Sequence, residues 1–164
     1  MFSILQLVVY GSHGVCRILK TEERTVDRKR VEYYVLEPLS QPGTQYLIPS
    51  QNLTALAKIR PLLEREVLLT LLQKPVSMDT WIQDENRRKQ QYRSILSSGD
   101  ADSQIVLFRM LQHYRSKQLS LGKRIHICDD SYMRDVQKII GGEISVVLGV
   151  SHEDAMRYLE TIPE

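Results

Sequence analysis

Hydrophobic spacing changes near residue 50, and that change excludes a single uniform architecture for the chain. Before it, apolar and β-branched residues come in short runs separated by turn formers. Residues 4–10, 15–19, 31–37 and 45–48 read as strands. Gly11-Ser12-His13-Gly14 and Gln41-Pro42-Gly43-Thr44 supply turns, and Pro38 and Pro49 supply stops. Residues 20–30 are too polar to bury and are expected to form a hairpin connection. Four or five short strands at this spacing predict a small, strongly bent sheet or barrel.

Beyond Gln51 the period is helical. Leu53, Leu56 and Ala57 share a face, and Pro61 is expected to be the first residue of the next helix. Leu62, Leu63, Val67, Leu68, Leu71 and Leu72 form its stripe, and Lys74-Pro75 closes it. Asp79 or Thr80 is expected to cap a long helix that carries Trp81, Ile82, Tyr92, Ile95 and Leu96 and ends at Ser98-Gly99. Asp100 caps the next helix, which Leu121-Gly122 breaks. Asp129-Asp130-Ser131 is expected to open a helix that runs to Leu148-Gly149. Ser151 with Asp154 forms a capping box for a last short helix. The expected fold class is α+β: a small N-terminal β barrel, residues 1–55, then an all-helical domain, residues 56–164.

Charge divides the chain further. The net charge of +2 hides a segment, residues 86–126, that holds nine bases against Asp100 and Asp102. The bases are Arg87, Arg88, Lys89, Arg93, Arg109, Arg115, Lys117, Lys123 and Arg124. The rest of the chain is net acidic, so a cationic patch on an acidic body is expected, suited to a polyanion. The longest apolar runs are a few residues, against about 20 for a membrane span, and no secretory signal is visible. Cys16 and Cys128 are 112 positions apart and form no disulfide framework, so a reduced, cytoplasmic protein is expected.

Signatures of catalysis are missing. There is no Gly-rich phosphate loop, nucleophile elbow or paired-histidine zinc helix. His126, Cys128 and Asp129 lack the second ligand pair that a closed metal shell needs. Cys16 beside His13 has no evident base or helix N-terminus to activate it, so buried packing is expected for the thiol. The expectation is a non-enzyme with no cofactor, metal or small-molecule substrate. Trp81, the sole tryptophan, has two readings: a staple between the two modules, or an apolar wedge beside the cationic run. Minor-groove proteins insert such wedges between base steps.

The segment Val8-Val9-Tyr10-Gly11-Ser12-His13-Gly14-Val15-Cys16 resembles the opening of the CarD-like bacterial transcription regulators. Tyr33-Tyr34-Val35-Leu36 and Tyr46-Leu47-Ile48-Pro49 fall where that family's later strands lie. Trp81-Ile82-Gln83-Asp84, Arg87-Arg88-Lys89, Ser98-Gly99-Asp100 and Gly122-Lys123-Arg124 extend the resemblance into the helical half. It implies a Tudor-like β module that docks on the β subunit of bacterial RNA polymerase and is shared with the transcription-repair coupling factor. The helical module is implied to hold promoter DNA, by minor groove and phosphates, at the upstream edge of the bubble and so stabilise the open complex. Carried over, the wedge is Trp81, and the phosphate contacts are Arg87, Arg88, Lys89, Lys123 and Arg124. Polymerase contact is implied on the strand edges, including Arg24 and Leu47. The rival expectation is a protein-interaction adaptor that does not bind DNA.

Overall fold

Strand β1 (Leu7–Tyr10) explains how the two halves are joined, because its alternation feeds two cores. In the computed structural model, which describes residues 2–163, Val8 points into a core formed with Cys16, Ile18, Tyr34, Leu36, Ile48 and Ile59. Its neighbour Val9 points the other way and, with Val15, packs into the helical core around Leu68, Phe108, Leu111 and Ile140. One face of the sheet is thus the β module's interior, and the other is a wall of the helical body.

A 3-10 turn (Gly11–His13) leads from β1 into β2 (Val15–Val26), followed by β3 (Lys29–Pro38), β4 (Tyr46–Pro49), the short helix α1 (Leu53–Leu56) and β5 (Ile59–Pro61). All ladders are antiparallel, in the order β4-β3-β2-β1-β5. The sheet is open rather than a closed barrel. Its edges are strands of four and three residues, and no ladder among the described residues joins them. The boundary expected at residue 55 falls within α1, and β5 beyond it pairs with β1 through Val8↔Pro61 and Tyr10↔Ile59.

Residues 20–30 are strand on either side of a two-residue turn, not a long loop. β2 and β3 stay paired to Val26↔Lys29, and Asp27 (φ 48°) and Arg28 (φ 65°) form a two-residue connection. Positive φ at both positions is what a type I′ hairpin turn requires. Cross-strand hydrogen bonds need no burial, so a polar sequence can extend a ribbon into solvent.

The helices are α2 (Arg65–Gln73), α3 (Glu85–Ser98), α4 (Ala101–Ser120), α5 (Ile127–Leu148) and α6 (His152–Thr161). Asp100 and Ser151 cap as expected, accepting from the backbone of Ser103 and Asp154. Three expected helix starts move. Pro61 ends β5, and α2 begins at Arg65. α3 begins at Glu85, capped by Asp84, whose Oδ1 accepts from Arg87 N at 2.8 Å. Asp79 is occupied in a tight turn with the Ser77 hydroxyl, so Trp81 and Ile82 lie in the loop ahead of α3. α5 begins at Ile127, and Asp129 is drawn inward to an arginine instead of capping.

The seam between sheet and helices is tight. Gly99 (φ +76°) ends α3 so close to the sheet that a Cβ there would stand 2.5 Å from the Lys58 carbonyl oxygen. Gly11 N donates to that same carbonyl at 2.9 Å. Arg60 of β5 makes a bidentate pair with Glu143 of α5, both bonds 2.7 Å, and donates from Nε to Gly99 O. Glu143 is fully enclosed and also accepts from Leu63 N.

Candidate functional site

The basic segment spans α3, α4 and the connector after it, and Arg87, Arg88, Lys89, Lys123 and Arg124 gather at the end of the helical body that lies away from the sheet. α4 starts beside the seam, runs 20 residues, about 30 Å at 1.5 Å per residue, and turns at 121–126 into α5. The first turns of α3 and α5, the 77–84 loop and the α4–α5 connector meet at this end. A buried ion pair holds them together. Arg88 Nε and Nη2 bond the two oxygens of Asp129 at 3.0 and 2.9 Å, and Tyr92 donates to Asp129 Oδ1 at 3.2 Å. Arg88 Nη1 also donates to the carbonyls of Ile82 and Gln83, both at 2.9 Å, which fixes the loop that carries Trp81. The adjacent carboxylate raises the Arg88 guanidinium above arginine's usual range, and burial raises the Tyr92 phenol above tyrosine's.

Trp81 is half-buried. Its ring stacks on Tyr114 of α4 (centroids 4.1 Å apart, planes at 23°), and the Arg88 guanidinium carbon lies 5.0 Å from its centroid. A cleft of about 230 Å³ lies beside it, walled by Ile82, Ile95, Val106, Leu107 and Met110. Trp81 therefore staples the 77–84 loop to α4 within the helical body, not the helical body to the sheet. An indole leaving this place for a DNA base step gives up a stacked pair worth about 0.5–1.5 kcal/mol beyond its buried area.

The expected phosphate contacts divide. Arg88 is 5% exposed and committed to Asp129, so it positions the loop and presents no charge to solvent. Arg109, also in the basic run, is enclosed and donates to the carbonyls of Leu72 and Pro163. Arg87, Lys123 and Arg124 are exposed, as are Arg115 and Lys117 on α4. Lys89 is half-buried and pairs with Glu85 at 2.5 Å, an i,i+4 contact that holds the Glu85 carboxyl below its usual range. The exposed cations of this end thus flank the clamp from the first turn of α3 and from the connector.

On the β module, Arg24 lies in the ribbon opposite Val31 and donates from Nε to Glu22 at 2.6 Å. Leu47 sits on edge strand β4 opposite Val35, half-buried. They flank β3 on its two sides. Nearby, His13 stacks on Tyr46 (4.1 Å) and Tyr10 (5.0 Å), and burial and then Lys58 lower its pKa. The Cys16 thiol is pushed up to about 12 by burial and donates to Gly14 O, so it is packing and not a nucleophile.

Sequence patterning misses the partners that organise the site. Asp129 reads as a cap, and Tyr114, 33 positions from Trp81, carries no local signal. Arg60 and Glu143 are likewise ordinary charges until the fold brings them together.

The β2–β3 ribbon and the cationic helical end are thus the two exposed features of the chain with distinct chemistry. Residues 2–62 match the family model of the CarD-like/TRCF RID domain. This family is a non-catalytic, RNA polymerase-interacting module. No curated protein matches the chain. Among the described residues, no helix is long and apolar enough to cross a membrane.

Proposed function

We propose that this protein is a transcription regulator that docks through its sheet on the β subunit of bacterial RNA polymerase and holds promoter DNA with its distal helical end. The observation that carries the reading is the polymerase-interacting domain at residues 2–62, fused to a helical body whose far end exposes Arg87, Lys123 and Arg124. Arg24 and Leu47, either side of β3, are the proposed polymerase contacts. The cations hold phosphates at the upstream edge of the bubble, without base readout. Each neutralised phosphate makes binding weaken with salt. Docking on polymerase supplies affinity through effective concentration. Trp81, on the clamped loop between those cations and α4, is the proposed apolar contact with the minor groove.

The test is open-complex lifetime on a promoter with bacterial polymerase. Wild type lengthens it. A variant with Arg87→Ala, Lys123→Ala and Arg124→Ala, still folded and still bound to polymerase, does not. A wild-type protein that binds polymerase but leaves the lifetime unchanged refutes the reading and favours a protein adaptor.

A further inference from the structure

The α4–α5 connector exposes more apolar surface than a solvated turn needs. Leu119 is 58% exposed, Leu121 59% and Ile127 86%, within nine residues of chain. They are not on a loose segment. Gly122 (φ +68°) closes α4 with paired bonds, Lys123 N to Gln118 O at 2.9 Å and Gly122 N to Leu119 O at 3.0 Å. That is a Schellman cap, in which the residues are held in fixed directions. Lys117, Lys123 and Arg124 are interleaved with the three apolar side chains and exposed. The acids beside the connector are already committed, Asp129 to Arg88, Asp130 to Arg134 and Glu85 to Lys89.

Leu121 follows Tyr114 by seven positions, so it continues the helix face on which Trp81 stacks, about 10 Å further along. The indole is engaged with Tyr114 and Arg88 before any DNA arrives. Leu121 and Ile127 face water and lose no stacked partner on insertion.

We propose that this connector is an apolar wedge for DNA, with Leu121 and Ile127 entering the minor groove at an opened base step while Lys123 and Arg124 hold the flanking phosphates. Exposed Lys117, Lys123 and Arg124, alternating along the chain with bare aliphatic side chains, fit a polyanion with an apolar interior edge. The proposal rests on the promoter-DNA reading above and adds the connector, as the inserting element, to the minor-groove contact proposed there for Trp81.

The test uses the full chain with Leu121→Ser and Ile127→Ser together. Both side chains are exposed, so folding is expected to be kept, checked by circular dichroism and polymerase binding. On a promoter carrying 2-aminopurine at the upstream bubble edge, wild type changes the probe's fluorescence and lengthens the open complex. The variant is expected to lose the fluorescence change and at least about five-fold of that lifetime. Its salt slope for duplex binding stays that of wild type, because the cations remain. A variant equal to wild type in lifetime and fluorescence overturns the wedge and leaves the regulator standing. A wild type without any lifetime effect overturns both. A wild type that binds phosphatidylglycerol vesicles through Leu121 and Ile127, and gives no 2-aminopurine response, also overturns the wedge.

Discussion

Removing the carboxylate of Asp129 isolates the clamp at the basic end. Asp129 is fully enclosed and accepts two bonds from Arg88 and one from Tyr92. In Asp129→Ala the guanidinium, 5% exposed, keeps its burial and loses its counter-charge. Breaking a buried pair from one side costs about 3–5 kcal/mol. For a chain of this size each kcal/mol moves Tm by roughly 2–4 °C, so a fall of about 6–20 °C is expected by circular dichroism. The double variant Arg88→Met, Asp129→Leu removes both charges and is expected to recover most of that loss. It does not recover the hydrogen bonds to the carbonyls of Ile82 and Gln83, so the 77–84 loop stays loosened. Trp81 reports this separately: as the sole tryptophan, its emission stays shifted in the double variant even where Tm returns. A Tm change under about 2 °C in Asp129→Ala, or a double variant as unstable as the summed singles, refutes the reasoning.

Gly99→Ala forces a side chain into left-handed backbone and onto the Lys58 carbonyl, so a loss above the roughly 1–2 kcal/mol of conformational strain is expected by urea unfolding. Gly122→Ala, with open space around its Cβ, serves as the strain-only control. Burial and then Lys58 lower the His13 pKa below 6.5. The unfolded chain therefore binds the proton better, and stability, full above 6.5, is lost as pH falls toward the folded value; His13→Gln is expected to flatten that slope in unfolding between pH 7 and 5. Replacing Lys123 and Arg124 by alanine is expected to reduce the salt slope of duplex binding by about 0.9 for each phosphate left without its cation, measured by anisotropy titration at several salt concentrations.

The α+β order and the caps at Asp100 and Ser151 are legible in the sequence because they depend on short-range pattern and on residues three apart. The ribbon over 20–30 is not, since polarity argues against burial and says nothing about ladder bonds; the turn itself is Asp27-Arg28, in which Asp tolerates positive φ but Arg in the usual glycine place hides the signal. The start of α3 falls later than expected because Asp79 and Asp84 both suit a cap, and only the Ser77 hydroxyl decides between them. At the site, exposed and buried arginines share one run of sequence. Arg87 and Arg88 differ by about 100° around a helix, and the acid that takes Arg88 inward lies 41 positions away.

The backbone approach of Gly99 to Lys58 and the Arg60–Glu143 pair join sheet and helices into one packed piece. Such a piece works as a ruler. From that seam α4 carries the connector about 30 Å away. Under the proposed function, the place on DNA that this protein touches is then chosen by where it sits on its carrier, and neither partner's sequence needs to be read.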